Sequence, residues 1–385
     1  MRPPRVTRQS SQRVGWVRPY RHRVRSRWAA LFFVCAVAFG ATAMTANDGT
    51  PTVRTVTVDP AFGRHVGAVR VAMTADELST VRRMTQIAAN PVGGSMDEST
   101  LGVPGVAQLA TWYVEDSAID SRTLILSRKV LASIQQLLAT VGLVRIEPTA
   151  IVVARTQDYI NDTLSSIGCR PDLSRTSGLH LMGEIVCNRH VIVINLTGYF
   201  FLVSEGDLLT PELESRREPA MRSTDYRIAD RNISGLAHEW AHIARVSLTG
   251  GLVAADEPVW FGEGMAELLT GLAKVRAFPS RMSYSTFHVV RLRKFADWGR
   301  VCGGSLRDYR RATASGCEYH LGAMAVEYLV ARMGGLSKLI DLIRASSRTL
   351  EFAVAFRSVY GVSLSSFERT VDAYLAPIGR LSDGR

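Results

Sequence analysis

Lysine is nearly absent. Of 46 basic side chains in 385 residues, lysine supplies only positions 129, 274, 294 and 338. Acidic residues are missing altogether from residues 1–27, where nine arginines stand at 2, 5, 8, 13, 18, 21, 23, 25 and 27. Taking those nine from the formal net charge of +11 leaves +2 for everything that follows. A near-neutral body behind a basic head argues against a broad phosphate-binding surface, so no nucleic-acid partner is expected. Cysteine is also scarce, with five in the chain and no CxxC spacing, which argues against a thiolate-bound metal. No internal repeat is visible, and the longest uninterrupted apolar run, Ala29 to Gly40, is short for a bilayer span even when extended to Ala46. Otherwise the composition, 46% hydrophobic and 21% charged, suits a globular protein with a sizeable core.

The basic head, the apolar run and the small-residue triplet Ala41-Thr42-Ala43 have the order of an export signal. Two outcomes follow: cleavage near Ala43 and secretion, or retention of residues 29–46 as a single N-terminal membrane anchor. Both place the body outside the cytoplasm. Cys35 lies in the apolar run, which leaves Cys169, Cys187, Cys302 and Cys317 in the body. An oxidising compartment favours disulfides among these four. Three connectivities are open; pairing of neighbours, Cys169 with Cys187 and Cys302 with Cys317, is the simplest because each closes a short loop.

Along the body, residues 47–120 are the least defined, with strand-like Val53–Val58 and Val66–Val71, a helical Asp76–Ala88, and breaks that suit a tether. Thr123–Val141 has the stripe of a long helix that ends at Gly142, followed by strand Thr149–Ala154, helix Gln157–Ile167 and strand His190–Leu196. Residues 204–230 form a long charged stretch that suits a lid over a cleft or a solvated loop. Arg276–Arg300, with His288, Arg291, Arg293, Lys294 and Trp298, suits a substrate-facing patch or a solvated helix face. Helices are expected at Tyr319–Arg332, Lys338–Ala345, Glu351–Tyr360 and Ser365–Leu375, the last stopping before Pro377.

The chemistry concentrates at His238-Glu239-Trp240-Ala241-His242, the pattern HExxH, with Glu263 following 21 positions after His242. Two histidines at i and i+4 share one helix face and can reach one cation. A third ligand from another helix leaves a fourth position for water. Glu239 stands where a general base is needed. Ile233, Leu236, Trp240 and Ile243 form an apolar stripe opposite the two histidines, and Asp230 or Asn232 can cap their helix. Asp256-Glu257-Pro258 has the form of a second helix start, and Glu267 lies one turn after Glu263, where it can accept the second ring N–H of a ligand histidine.

HExxH followed by Trp260-Phe-Gly-Glu-Gly-Met-Ala-Glu267 resembles the gluzincin zinc metallopeptidases, in wording their peptidase MA-like branch, over roughly residues 150–375. The resemblance implies one zinc ion held by His238, His242 and Glu263, with Glu239 as general base. Tyr319-His-Leu-Gly-Ala323 is similar to the Tyr-x-x-Gly-Ala of gluzincin aminopeptidases, which implies Tyr319 as a donor to the tetrahedral intermediate, with His320 as a second candidate. The Gly-x-Met-Glu-Asn strand by which those enzymes hold a free amino terminus is missing, so an endopeptidase acting on polypeptide is implied instead. The implied fold is α+β and thermolysin-like: a small mixed sheet with an edge strand at residues 191–196, a mainly helical half, and the zinc cleft between them. The expected parts are 1–46, signal or anchor; 47–120, undefined; 121–230, an α+β subdomain with substrate edge and charged loop; 231–378, helical and zinc-binding; 379–385, a tail. The alternative from another class is a catalytically silent or zinc-binding surface interaction protein on the same fold. The remaining histidines, 22, 65, 180, 190 and 288, have no partner at metal spacing.

Overall fold

The structure is a computed structural model that describes residues 51–58, 67–89, 110–115, 121–142, 149–154, 156–169, 184–186, 191–195, 224–279, 282–293, 302–312 and 316–382. The expected signal or anchor at residues 1–46, Cys187 and the charged stretch up to residue 223 lie outside these. The described residues are mostly helical with a small sheet, an α+β arrangement at the coarse level. Among them no helix is long and apolar enough to cross a membrane.

A four-stranded sheet has the order β3 (Ala110–Val114), β4 (Thr149–Ala154), β6 (Val191–Asn195), β5 (Glu184–Val186). The first two pairings are parallel and the last antiparallel. The apolar runs of β4 and β6 bury both faces, as parallel strands do. Ile151, Val153, Ile192 and Ile194 point into the main core, while Val152, Ala154, Val191 and Val193 pack on α3 (Gln157–Ser166). This corrects one expectation: residues 191–195 are an inner strand, with backbone pairing on both sides. The antiparallel edge is the three-residue β5, too short to show a period in the sequence.

The helical half is built on α4 (Thr224–Thr249), α5 (Val259–Ala277) and α7 (Cys317–Arg332). α4 packs on β6 and β5, α2 (Ser121–Ala139) on α4 and α5, and α7 along α5. α4 starts six residues before Asp230, so neither Asp230 nor Asn232 is its cap. The second helix start also differs. Asp256 accepts from the backbone N–H of Phe352 and Ala353 and so caps α9 (Phe352–Tyr360), Glu257 pairs with Arg245, and Pro258 itself is the N-cap of α5. α8 (Gly335–Thr349) and α10 (Leu364–Ser382) complete the helical half, with Pro377 inside α10 rather than after it. Cys302 is bonded to Cys317, and Cys169 is also disulfide-bonded.

The N-terminal elements belong to the body. β1 (Thr52–Val58) and β2 (Gly67–Met73) form an antiparallel hairpin whose Val56 and Met73 pack on Val289 and Val290. α1 (Ala75–Ala89) packs on α7 and α5. The short α6 (Tyr284–Phe287) runs straight into a π-helical segment, His288–Arg293. His288 and Arg293, read as members of a solvated or substrate-facing stretch, are buried at 0% and 3% exposure. The imidazole lies 2.9 Å from Glu77 of α1 through Nε2 and 2.9 Å from Glu327 of α7 through Nδ1.

Candidate metal centre

α4 presents His238 and His242 one turn apart, while Ile233, Leu236, Trp240 and Ile243 are 5% exposed or less on its core side. α5 presents Glu263 and Glu267 with the same i, i+4 spacing, and α7 presents Tyr319. Glycines let these helices close on one another. A Cβ on Gly264 would lie 2.0 Å from the carbonyl carbon of Gly322, and one on Gly322 would lie 2.0 Å from the carbonyl oxygen of Trp260. α5 and α7 therefore touch backbone to backbone, beside Glu263 and one turn after Tyr319. The rings of His238 and Tyr319 stack at a centroid distance of 5.6 Å.

His238 Nε2, His242 Nε2 and Glu263 Oε2 form a triangle with edges of 3.1 Å (His–His), 3.0 Å (His238–Glu263) and 3.4 Å (His242–Glu263). Ligands about 2.05 Å from a tetrahedral zinc ion are separated by about 3.3 Å, so the donor set fits a cation of that size. Nitrogen and carboxylate donors together suit zinc, with the geometry leaving room for other divalent first-row ions. His238 Nδ1 lies 3.1 Å from Glu267 Oε1, the carboxylate that holds the ring and fixes which nitrogen faces the triangle.

The electrostatics follow from this crowding. Burial pulls His238 down, but hydrogen bonds to Glu263 and Glu267 outweigh it and raise the imidazole to about 10. Burial dominates at His242 and lowers it. Burial pushes Glu263 and Glu267 up, yet the histidines hold both below the usual carboxylate range, Glu267 at about 2. In terms of protein groups alone, one imidazolium clamped by two carboxylates leaves one negative charge over; a divalent cation would satisfy the same lone pairs. Burial, with the neighbouring Glu263 and Glu239 carboxylates, raises the Tyr319 phenol, which therefore stays protonated and able to donate near neutral pH.

These groups line one cleft of about 770 Å³. Glu239, Tyr319, His238, His242, Glu263 and Glu267 all face it, and Tyr319, at 37% exposure, is the residue of the Tyr-His pair that lines it. The sequence reading missed Ser234, Arg245, Glu257, Thr270 and Lys274, which also line the cleft. Helical spacing carried a signal for Arg245, three positions after His242. It carried one also for Thr270 and Lys274, seven and eleven after Glu263. The Arg245–Glu257 pair closes one end, where burial raises Glu257 to about 7 despite its arginine.

Comparison with protein-family profiles, with curated proteins and with solved structures gives no match for this chain.

Proposed function

We propose that the protein is an exported zinc-dependent metallopeptidase, an endopeptidase on a gluzincin, thermolysin-like fold, that hydrolyses peptide bonds in polypeptides. The observation that supports this best is the 3.0–3.4 Å triangle of donor atoms with Glu239 and Tyr319 in the same cleft. His238, His242 and Glu263 would hold the metal, and Glu267 would orient His238. Zinc, when bound, supplies Lewis acidity that brings the pKa of water towards about 7 and polarises a carbonyl. Glu239 accepts the proton of the attacking water and returns it to the leaving amine. The Tyr319 hydroxyl donates to the carbonyl oxygen as charge develops there, a contribution of roughly 2–4 kcal/mol for such a donor. Among the described residues the three-residue β5 is the antiparallel edge beside α4, and an extended substrate can add to it through main-chain hydrogen bonds. The Cys302–Cys317 disulfide and the export-like N-terminus agree with work outside the cytoplasm, either secreted or anchored by residues 29–46.

The deciding experiment measures the zinc content of the purified body, then cleavage of an unstructured protein with and without a chelator. One zinc per chain and chelator-sensitive cleavage are expected. Zinc without cleavage would replace this reading with that of a zinc-binding surface interaction protein. Cleavage indifferent to complete zinc removal would end the metal mechanism.

A further inference from the structure

Tyr319 stands in the first turn of α7, two residues after Cys317, with which that helix begins. The turn starts without a side-chain cap: its N-cap is Gly316, at φ 66° in the left-handed region. A side-chain cap contributes about 1 kcal/mol, and helix ends are among the first parts of a fold to open. Tyr319 itself is 37% exposed and rests by its ring on His238. On its C-terminal side, α7 is pinned at Gly322 against the backbone of α5.

On its N-terminal side the turn is fastened by the bridge from Cys317 to Cys302, which are 0% and 2% exposed. Cys302 precedes a clasp anchored on α10. Ser305 caps the 3₁₀ turn Leu306–Arg310 in a reciprocal pair with Asp308. Asp372 of α10 accepts from Ser305 Oγ at 2.7 Å and from the Leu306 N–H at 2.8 Å. Arg310 Nε donates to Glu368 of α10 at 2.7 Å, and the Tyr309 hydroxyl donates to the Gly303 carbonyl at 2.8 Å. The bridge thus carries a fixed position from α10 to within two residues of Tyr319. Cys302, Cys317 and Asp372 do not line the cleft, so their effect on it runs through the helix.

We propose that the Cys302–Cys317 bridge is the positioning element of Tyr319. By tying the first turn of α7 to the α10 clasp, it holds the phenol at the place in the cleft where it donates to developing charge. The use of the phenol rests on the peptidase reading; the holding of the turn does not. A misplacement of about 1 Å can cost about 100-fold in rate, so a first turn that frays, with the rest of the fold intact, is enough to disable the hydroxyl. A bridge that only stabilises the fold would change the denaturation midpoint and leave kcat of the folded protein alone.

The test compares the zinc-loaded full exported body with its Cys302→Ala/Cys317→Ala pair, well below the melting midpoint of each. The pair should lower kcat about 10-fold or more, with KM and zinc content within about 2-fold of wild type. In a Tyr319→Phe background the same pair should change kcat by less than about 2-fold, because the group it positions is already gone. An equal loss in both backgrounds, or a kcat within about 2-fold of wild type, would overturn the proposal. Amide hydrogen exchange of the zinc-free protein reads the turn without turnover. In a helix the N–H groups of Leu321, Gly322 and Ala323 bond back to residues 317–319, so without the bridge they should exchange within about 10-fold of free-peptide rates while those of Glu327–Val330 stay protected. A first turn still protected without the bridge would also overturn the proposal. Where the pair fails to fold, Asp372→Ala replaces it in the kinetic cycle, loosening the clasp with the bridge intact. It should lower kcat about 3-fold, again only where Tyr319 is present, and the same loss in the Tyr319→Phe background would overturn the proposal. If the wild type cuts nothing and the exchange result is as expected, the peptidase reading fails and the holding of the turn stands.

Discussion

Glu267 and Tyr319 show how two single side chains divide the work around the ligand triangle. Glu267 lies 3.1 Å from His238 Nδ1 and outside the triangle, which suits it to orient and polarise that ring. Glu267→Ala should therefore weaken zinc binding by about 10- to 100-fold, read by competition with a chromophoric chelator. An unchanged affinity would mean that packing alone holds the ring. Tyr319 stands in the cleft without belonging to the triangle. Tyr319→Phe should lower kcat by about 100-fold and leave zinc content unchanged, because the lost bond is one made to developing charge. Glu239→Gln should likewise retain zinc and abolish turnover. Turnover at the wild-type rate in either variant would remove that side chain from the mechanism.

At the scale of elements, the site depends on how closely α5 and α7 approach. Gly264→Ala or Gly322→Ala would force the two backbones apart to relieve a Cβ contact of only 2.0 Å. Overpacking of this kind costs about 3 kcal/mol. Because Gly264 adjoins Glu263, the same change should weaken zinc binding. A Cβ on Gly303 would meet nothing within 4 Å, so Gly303→Ala should stay within about 0.5 kcal/mol of wild type in urea denaturation. Equal effects at 264 and 303 would disprove the crossing argument. The residues of this crossing were legible in the sequence as Glu263-Gly264 and Tyr319-x-x-Gly322, but their reason was not. Contact between two glycines 58 positions apart is a property of a pair of helices, which neither helix carries alone. The ligand face of α4 was legible because i, i+4 spacing and the Trp240 stripe are local. β5 was not legible, since three residues carry no usable period. The caps at Asp256 and Glu257 were misread because local turn chemistry does not say that a carboxylate will reach to Phe352 or Arg245.

The whole molecule is held by links that join distant parts of the chain. The Cys302–Cys317 bridge spans 15 residues at the entrance to α7, and its loss should cost about 3 kcal/mol, read as a lower denaturation midpoint under reducing conditions. The longer link is His288, which joins α1 and α7 through Glu77, 211 residues away in sequence, and Glu327. Arg293 adds a second cation 3.5 Å from Glu77, so two acids and two bases share the buried space. A histidine with no partner at local spacing gave no hint of this, because its partner lies in the segment that reads as a tether. Burial would lower His288, but Glu327 and Glu77 outweigh it and raise the imidazole to about 10. A pKa raised above its unfolded value of about 6.5 stabilises fully below that value, and the contribution fades as pH rises through 10. The folded protein should therefore lose stability between pH 7 and 10, by at most about 1.4 kcal/mol per pH unit from this group. His238 is raised to a similar value, so the measurement belongs in a His238→Ala background. There, Glu77→Gln should cost about 3 kcal/mol at pH 7, since it leaves buried cations short of one anion, and should flatten the slope up to pH 10. A slope unchanged by Glu77→Gln would mean that His288 is neutral in the fold.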